Sequence, residues 1–182
     1  MADPRTSAVF GCSSEKDYSF LAPITAVFWR YVVGFEPLVF LVGTEEEWCG
    51  KPSAATVLSA LRAQGISLQF TGPIQLLTSA ERYSDATVAQ HVRYHAAADP
   101  EIEEDRWLMM TDADLWPLRR DFYHQHVGRS ERAVCYYANG DHFISKEDVL
   151  TGFREHRPFQ SIPTCHVTMR AAEWRAVYDI AP

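Results

Sequence analysis

Trp107-Leu108-Met109-Met110-Thr111-Asp112-Ala113-Asp114-Leu115-Trp116-Pro117-Leu118 is the stretch whose reading decides the fold. Four consecutive apolar residues, Trp107 to Met110, predict a buried strand. They run straight into two carboxylates one residue apart. In extended chain, residues i and i+2 point the same way, so a turn just past the strand can aim Asp112 and Asp114 at one point. Mg²⁺ and Mn²⁺ take oxygen ligands and keep most of their coordination sphere for water and substrate phosphates, so one or two protein carboxylates suffice. The spacing therefore predicts a metal–diphosphate site on Asp112 and Asp114.

Working outward, the upstream chain alternates strand and helix. Ala8 to Cys12 reads as a short strand ending in the small, polar turn Gly11-Cys12-Ser13-Ser14. Ser19 is placed to cap a helix running to Val33, with Pro23 in its first turn and Gly34 as the stop. Leu21, Ile24, Val27, Phe28, Tyr31 and Val32 are its expected buried face. Pro37 to Val42 is a continuous apolar run, as expected of a parallel strand covered on both faces. The acidic run Glu45-Glu46-Glu47 reads as a solvated edge. Ser53 then caps a second helix striped by Val57, Leu58 and Leu61 and stopped at Gly65, and Ile66, Leu68 and Phe70 alternate as a strand. Ser84 caps a third helix, Asp85 to Ala98, ended by Asp99-Pro100. Together these predict an α/β chain: a single three-layer domain with a mostly parallel central sheet flanked by helices.

On that third helix Gln90 and Arg93 lie one turn apart on one side, with Val88, Val92 and Ala96 opposite as the core stripe. His91 and His95 are four apart, but their spacing lacks the Glu of a metalloprotease helix and any nearby Cys pair, so it argues poorly for zinc. Downstream, Pro117 to Tyr123 predicts a short helix bearing Arg119 and Arg120. Ala133 to Tyr137 predicts a strand, Asn139 to His142 a turn, Ser161 to Met169 a last strand containing His166, and a short helix holds Trp174 and Tyr178.

An apolar strand followed by Asp-Ala-Asp and Leu-Trp-Pro-Leu resembles the Asp-x-Asp signature of the GT-A class of nucleotide-sugar glycosyltransferases, and the order of elements resembles that class from Ala8 to about Tyr178. The resemblance implies a GT-A-like, Rossmann-related fold over residues 1–182, either whole or as the donor-binding part of a longer protein. It implies Mn²⁺ or Mg²⁺ on Asp112 and Asp114, held against the diphosphate of a nucleoside-diphosphate sugar, most simply a UDP-sugar. The first loop lies along the base and ribose in that class, which nominates Ser13, Ser14, Asp17 and Tyr18. The third helix faces the donor, which nominates Gln90 and Arg93. The alternative for Arg93 is a surface ion pair with the Glu101 to Asp105 segment. Asp141 or His142 would serve as base toward an unspecified glycan, protein or lipid acceptor.

The 182 residues suit one core, and 47% hydrophobic with 13% aromatic residues predicts a substantial interior. A formal charge of −7 argues against nucleic acid or an anionic membrane as main partner. Cys12, Cys49, Cys135 and Cys165 have no framework spacing and read as free thiols, mostly buried. The N-terminus has no apolar core of signal-peptide length, and the most apolar run, Phe20 to Val33, is interrupted by Arg30 and too short for a membrane span, which predicts a cytoplasmic chain, or a lumenal one if cut from a longer protein. Two other functions compete. One is a silent nucleotide-sugar-binding or scaffold domain. The other is a haloacid-dehalogenase-like phosphatase, which also follows an apolar strand with Asp-x-Asp. That pattern continues with a small residue and Thr or Val where this chain has Leu115-Trp116-Pro117, and Lys146 and Asp148 lie too close together to supply its two later elements.

Overall fold

The apolar runs pair edge to edge because each buries its backbone polar groups only by doing so. The computed structural model describes residues 5–15, 17–72, 83–125, 127, 134–135 and 166–180. Within these, six strands form one sheet: β1 (Thr6–Ser13), β2 (Glu36–Val42), β3 (Ser67–Thr71), β4 (Trp107–Met110), β5 (Val134–Cys135) and β6 (Val167–Arg170), in the order β3-β2-β1-β4-β6-β5. The first four strands in that order run parallel. β6 runs antiparallel to both β4 and β5.

Both faces of the sheet are covered, and the alternation of side chains along β1 and β4 divides the core in two. Ala8, Phe10, Trp107 and Met109 point to a layer built from α1 (Ala22–Val27), its π-helical continuation Phe28–Val33, and α3 (Pro52–Ala63). Val9, Leu108 and Met110 point to the opposite layer, with Val92, Ala96 and Trp174. That layer comprises α4 (Asp85–Val92), its 3-10 continuation Arg93–Ala98, and α6 (Ala171–Tyr178). The result is a three-layer α/β arrangement with a mostly parallel sheet. Among the described residues, no helix is long and apolar enough to cross a membrane.

Four local expectations are corrected. Ser19 does not cap the first helix: a 3-10 turn spans Asp17–Leu21 and α1 starts at Ala22 without a side-chain cap, Pro23 occupying its first turn. Its buried face is Ala22, Thr25, Ala26, Trp29 and Val33, whereas Ile24 and Tyr31 are 40% and 74% exposed. The small residues at 22, 25 and 26 let this backbone approach the sheet, and Trp29 fills the remaining depth. Gly34 does end the helix, in the left-handed conformation at φ 89°. The acidic run is solvent-exposed as expected, but it forms the first turn of a helix, α2 (Glu45–Gly50), rather than a loop. Thr44 and Glu47 form a reciprocal capping box, and Trp48 is fully buried with its indole N–H donating to the Val42 carbonyl at 2.8 Å. Finally, α3 starts at Pro52, so Ser53 lies inside it and is no cap.

α4 begins as expected, with Ser84 Oγ accepting from the Thr87 N–H at 3.2 Å. β4 has the bounds read from the sequence, and α5 (Arg120–His124) follows it. β6 covers part of the expected last strand, with His166 just before it in a left-handed conformation at φ 60°.

Candidate functional site

The strand order reverses at β1, which pairs with β2 on one side and β4 on the other. In open α/β sheets this reversal leaves a crevice outside the carboxyl ends of the two strands, because the connections depart to opposite faces. A cleft of about 430 Å³ lies there. β1 contributes Gly11, Cys12 and Ser13, the following turn contributes Tyr18, α4 contributes Ala86, Ala89 and Gln90, its 3-10 continuation contributes Arg93, and the turn after β4 contributes Asp112, Ala113 and Asp114.

Six of the residues nominated from the sequence thus meet in one place: Ser13, Tyr18, Gln90, Arg93, Asp112 and Asp114. Ser14 is not among the lining residues, and its hydroxyl takes a hydrogen bond from Lys51 Nζ at 3.0 Å. The Asp17 backbone lies on the 3-10 turn, but its side chain is outside the described residues. Asp141 and His142 fall outside the described residues altogether.

Arg93 lines the cleft but does not make the surface ion pair that was its alternative. Its residue is only 4% exposed, and it pairs with Asp112 rather than with the Glu101 to Asp105 segment. One guanidinium nitrogen, Nη1, donates to both the Thr111 carbonyl and Asp112 Oδ1, and Nη2 donates to the Tyr94 hydroxyl at 3.2 Å. Burial, the largest single influence, pulls its pKa down, but Asp112 and Tyr94 together outweigh it and hold it above its ordinary value. Arg93 is therefore a fixed cation at the cleft wall that orients Asp112 and neutralises part of its charge.

A second clamp holds the turn from the other layer. Thr25, fully buried on α1, donates its hydroxyl hydrogen to the Ala113 carbonyl, between the two aspartates. The same oxygen accepts from the Trp116 indole N–H at 3.0 Å, and the Trp116 ring stacks on Phe28 at 5.6 Å between centroids. The Asp112-Ala113-Asp114 turn is thereby tied to both faces of the sheet. α4 is held close by Gly11: a Cβ there would lie 2.2 Å from the Ala89 carbonyl oxygen.

Asp112 and Asp114 are the cleft residues that could hold a hard divalent cation. Asp112 and Asp114 line one cleft, with the Asp112 side chain 35% exposed and Asp114 exposed. Among the described residues, no group of three or more His, Cys, Asp or Glu gathers to form an all-protein cage. Two carboxylates with the rest of the sphere left to water and phosphate is the pattern Mg²⁺ favours. Ser13 Oγ, buried at the cleft, has no hydrogen-bond partner among the described residues and is suited to a ligand oxygen or N–H.

No known protein-family model matches this sequence. Residue reasoning missed Thr25 and gave Trp116 no role, since their contacts are long-range. It also weighed His91 only as a zinc ligand, whereas its Nδ1 is engaged with the Thr87 carbonyl at 2.8 Å.

Proposed function

We propose that this chain is a GT-A-like, divalent-metal-dependent glycosyltransferase that transfers a sugar from a nucleoside-diphosphate sugar, most simply a UDP-sugar. The observation that carries the reading is the convergence of the Asp112–Asp114 turn, Gln90 and Arg93 on a single cleft at the reversal of strand order. Its volume, about 430 Å³, is in the range of small-molecule sites.

In this reading Asp112 and Asp114 hold Mn²⁺ or Mg²⁺, which when bound supplies Lewis-acid stabilisation of the diphosphate leaving group. Ser13 and Tyr18 flank the nucleoside, and Gln90 bonds the sugar or phosphate oxygens. The Arg93 cation sits behind Asp112, so charge that develops on the leaving group meets a preorganised positive field in a partly dehydrated wall. Positioning by the two clamps contributes the rest, because a turn held from both layers does not reorganise when substrate binds.

Isothermal titration with UDP, GDP and a panel of UDP-sugars, with and without Mn²⁺, tests the assignment. Metal-dependent binding is expected. Asp114→Ala is expected to weaken it by on the order of 100-fold or more, since loss of even an outer-shell contact costs 10–100-fold. Binding that ignores Mn²⁺, or that survives Asp114→Ala unchanged, would sink the proposal. Binding with neither transfer nor hydrolysis would instead identify a silent nucleotide-sugar-binding domain.

A further inference from the structure

The outer face of α1 and its π-helical continuation is as apolar as the inner one. From Tyr18 to Val33 the chain carries a single charge, Arg30, and its guanidinium is engaged with the Gln64 and Gly65 carbonyls and with Glu36. A helix that is apolar all round is ordinarily buried. Here Phe20, Ile24 and Tyr31 face solvent instead. The same surface continues beyond the helix. Trp116 lies on the Phe28 ring, and Leu118 follows two residues later, ahead of α5, whose His124 Nε2 meets the Val33 carbonyl at 2.7 Å. These five residues are each 40–77% exposed.

We infer that a second copy of this chain covers this face, in a two-fold dimer centred on α1, the π-helical segment and the Trp116–Leu118 stretch. Area is the first argument. Large side chains of this kind offer about 150–250 Å² each, so the five exposed residues together present roughly 600 Å². That is at the upper end of the largest patch on a typical monomer, about 300–600 Å². With the half-buried Val27, Phe28 and Val32 beside it, the face approaches the roughly 800 Å² that each partner brings to a stable interface. Charge is the second argument. In a two-fold interface a patch meets itself, so a patch of one sign repels its copy. At a formal charge of −7 two copies repel each other at long range, and contact needs a patch without net charge. This face provides one, because the flanking Arg30 and Arg119 each pair with a carboxylate, Glu36 and Asp121. The same pairing disfavours a lipid surface, which holds apolar helix faces with the help of basic side chains free to meet its headgroups. The second copy also covers Trp116, which through Thr25 braces the Ala113 carbonyl between the two aspartates. The interface therefore abuts the candidate site, yet it stands whether or not that site takes a nucleotide sugar.

The tryptophans supply a probe specific to this face. Trp29, Trp48, Trp107 and Trp174 are buried, so Trp116 is the indole that a dissolved quencher reaches. Sedimentation equilibrium of the full chain over about a 100-fold range of concentration is run beside acrylamide quenching of its tryptophan fluorescence. The mass is expected to double as concentration rises, and the quenching to fall in step. Leu118→Asp, outside the helices, and Tyr31→Asp are each expected to weaken the dimer by on the order of 100-fold, since each places a carboxylate from both copies in an apolar contact. Both side chains are exposed in the single chain, so both variants are expected to keep the wild-type circular dichroism. Val177→Asp, at an exposed position of α6 in the opposite layer, is expected to dimerise as the wild type does. A wild type that stays monomeric overturns the inference, as does a mass that doubles without protecting Trp116. Dimerisation unchanged in both variants, or weakened as much by Val177→Asp, overturns it too. A monomeric wild type that sediments with phosphatidylcholine vesicles overturns it and assigns the face to lipid.

Discussion

Asp112 carries two duties, because its carboxylate both lines the cleft and neutralises the buried guanidinium of Arg93. Asp114 is exposed and has only the first. The two aspartates are therefore expected to separate in mutagenesis. Asp114→Ala leaves stability close to wild type while removing metal-dependent nucleotide binding. Asp112→Ala removes the carboxylate from a buried cation that keeps its Thr111 and Tyr94 partners, and costs about 1–3 kcal/mol of stability besides. Urea denaturation of both variants beside the calorimetry decides it; equal stabilities would mean that the ion pair is not structural. Cysteine reactivity follows the same logic of burial. Cys12, at the end of β1, is 4% exposed and its thiol is pushed up to about 12 by burial, whereas Cys49 on α2 is exposed. Iodoacetamide on the native protein is expected to label Cys49 and spare Cys12, read by peptide mass spectrometry. Rapid labelling of Cys12 would show that β1 is not packed as described.

The distance between α4 and β1 sets where Gln90 and Arg93 stand, and Gly11 sets that distance. A methyl group at 11 would overlap the Ala89 carbonyl oxygen, a backbone atom that moves only with the helix. Gly11→Ala is expected to cost about 1–3 kcal/mol through overpacking and to weaken nucleotide binding together with stability. Full affinity in a destabilised Gly11→Ala protein would uncouple the helix from the cleft. This contact also marks how far the sequence could be read. Strands such as Pro37 to Val42 and Trp107 to Met110 were legible because their apolar runs admit few other buried conformations. The Asp-x-Asp turn and the Gln90–Arg93 side of α4 were legible because i+2 and i+3 spacings fix direction. The close approach at Gly11 and the Thr25 clamp were not, since each depends on a partner 78 or 88 residues away along the chain. The helix face misread at Ile24 and Tyr31 shows why apolar content alone misleads: Ala22, Ala26 and Trp29 form the tighter stripe, and Ile24 and Tyr31 are left outside. α2 was missed because three glutamates outweighed its Thr44-x-x-Glu47 capping box, which is the sequence signal that identifies it.

At the scale of the whole molecule, His166 joins the two ends of the chain. Its backbone N–H donates to the Met110 carbonyl at 2.6 Å, and its ring packs edge-on against Trp29 and Tyr123, with the Tyr123 hydroxyl 3.5 Å from Nδ1. It thus ties β6 to β4, to the π-helical segment and to α5. The residue is 2% exposed, and burial pushes its pKa down from 6.5 to about 4, against the opposing pull of Asp112 and with the added repulsion of Arg93. Between those two values the unfolded chain binds a proton at this site and the folded chain does not, so stability rises with pH across the window. The contribution is complete above the unfolded pKa near 6.5, is lost progressively as pH falls toward 4, and changes no further below that. Its full span is about 3 kcal/mol, and roughly 2 kcal/mol of it falls between pH 7 and pH 5. Asn tolerates the left-handed backbone of position 166, so His166→Asn removes the titration without forcing a new conformation. Urea midpoints at pH 7 and pH 5 are expected to diverge for the wild type and to lie closer together for His166→Asn. Equal pH dependence in the two proteins would mean that the imidazole titrates alike folded and unfolded, and that the junction of β6, α5 and the π-helical segment is open to water.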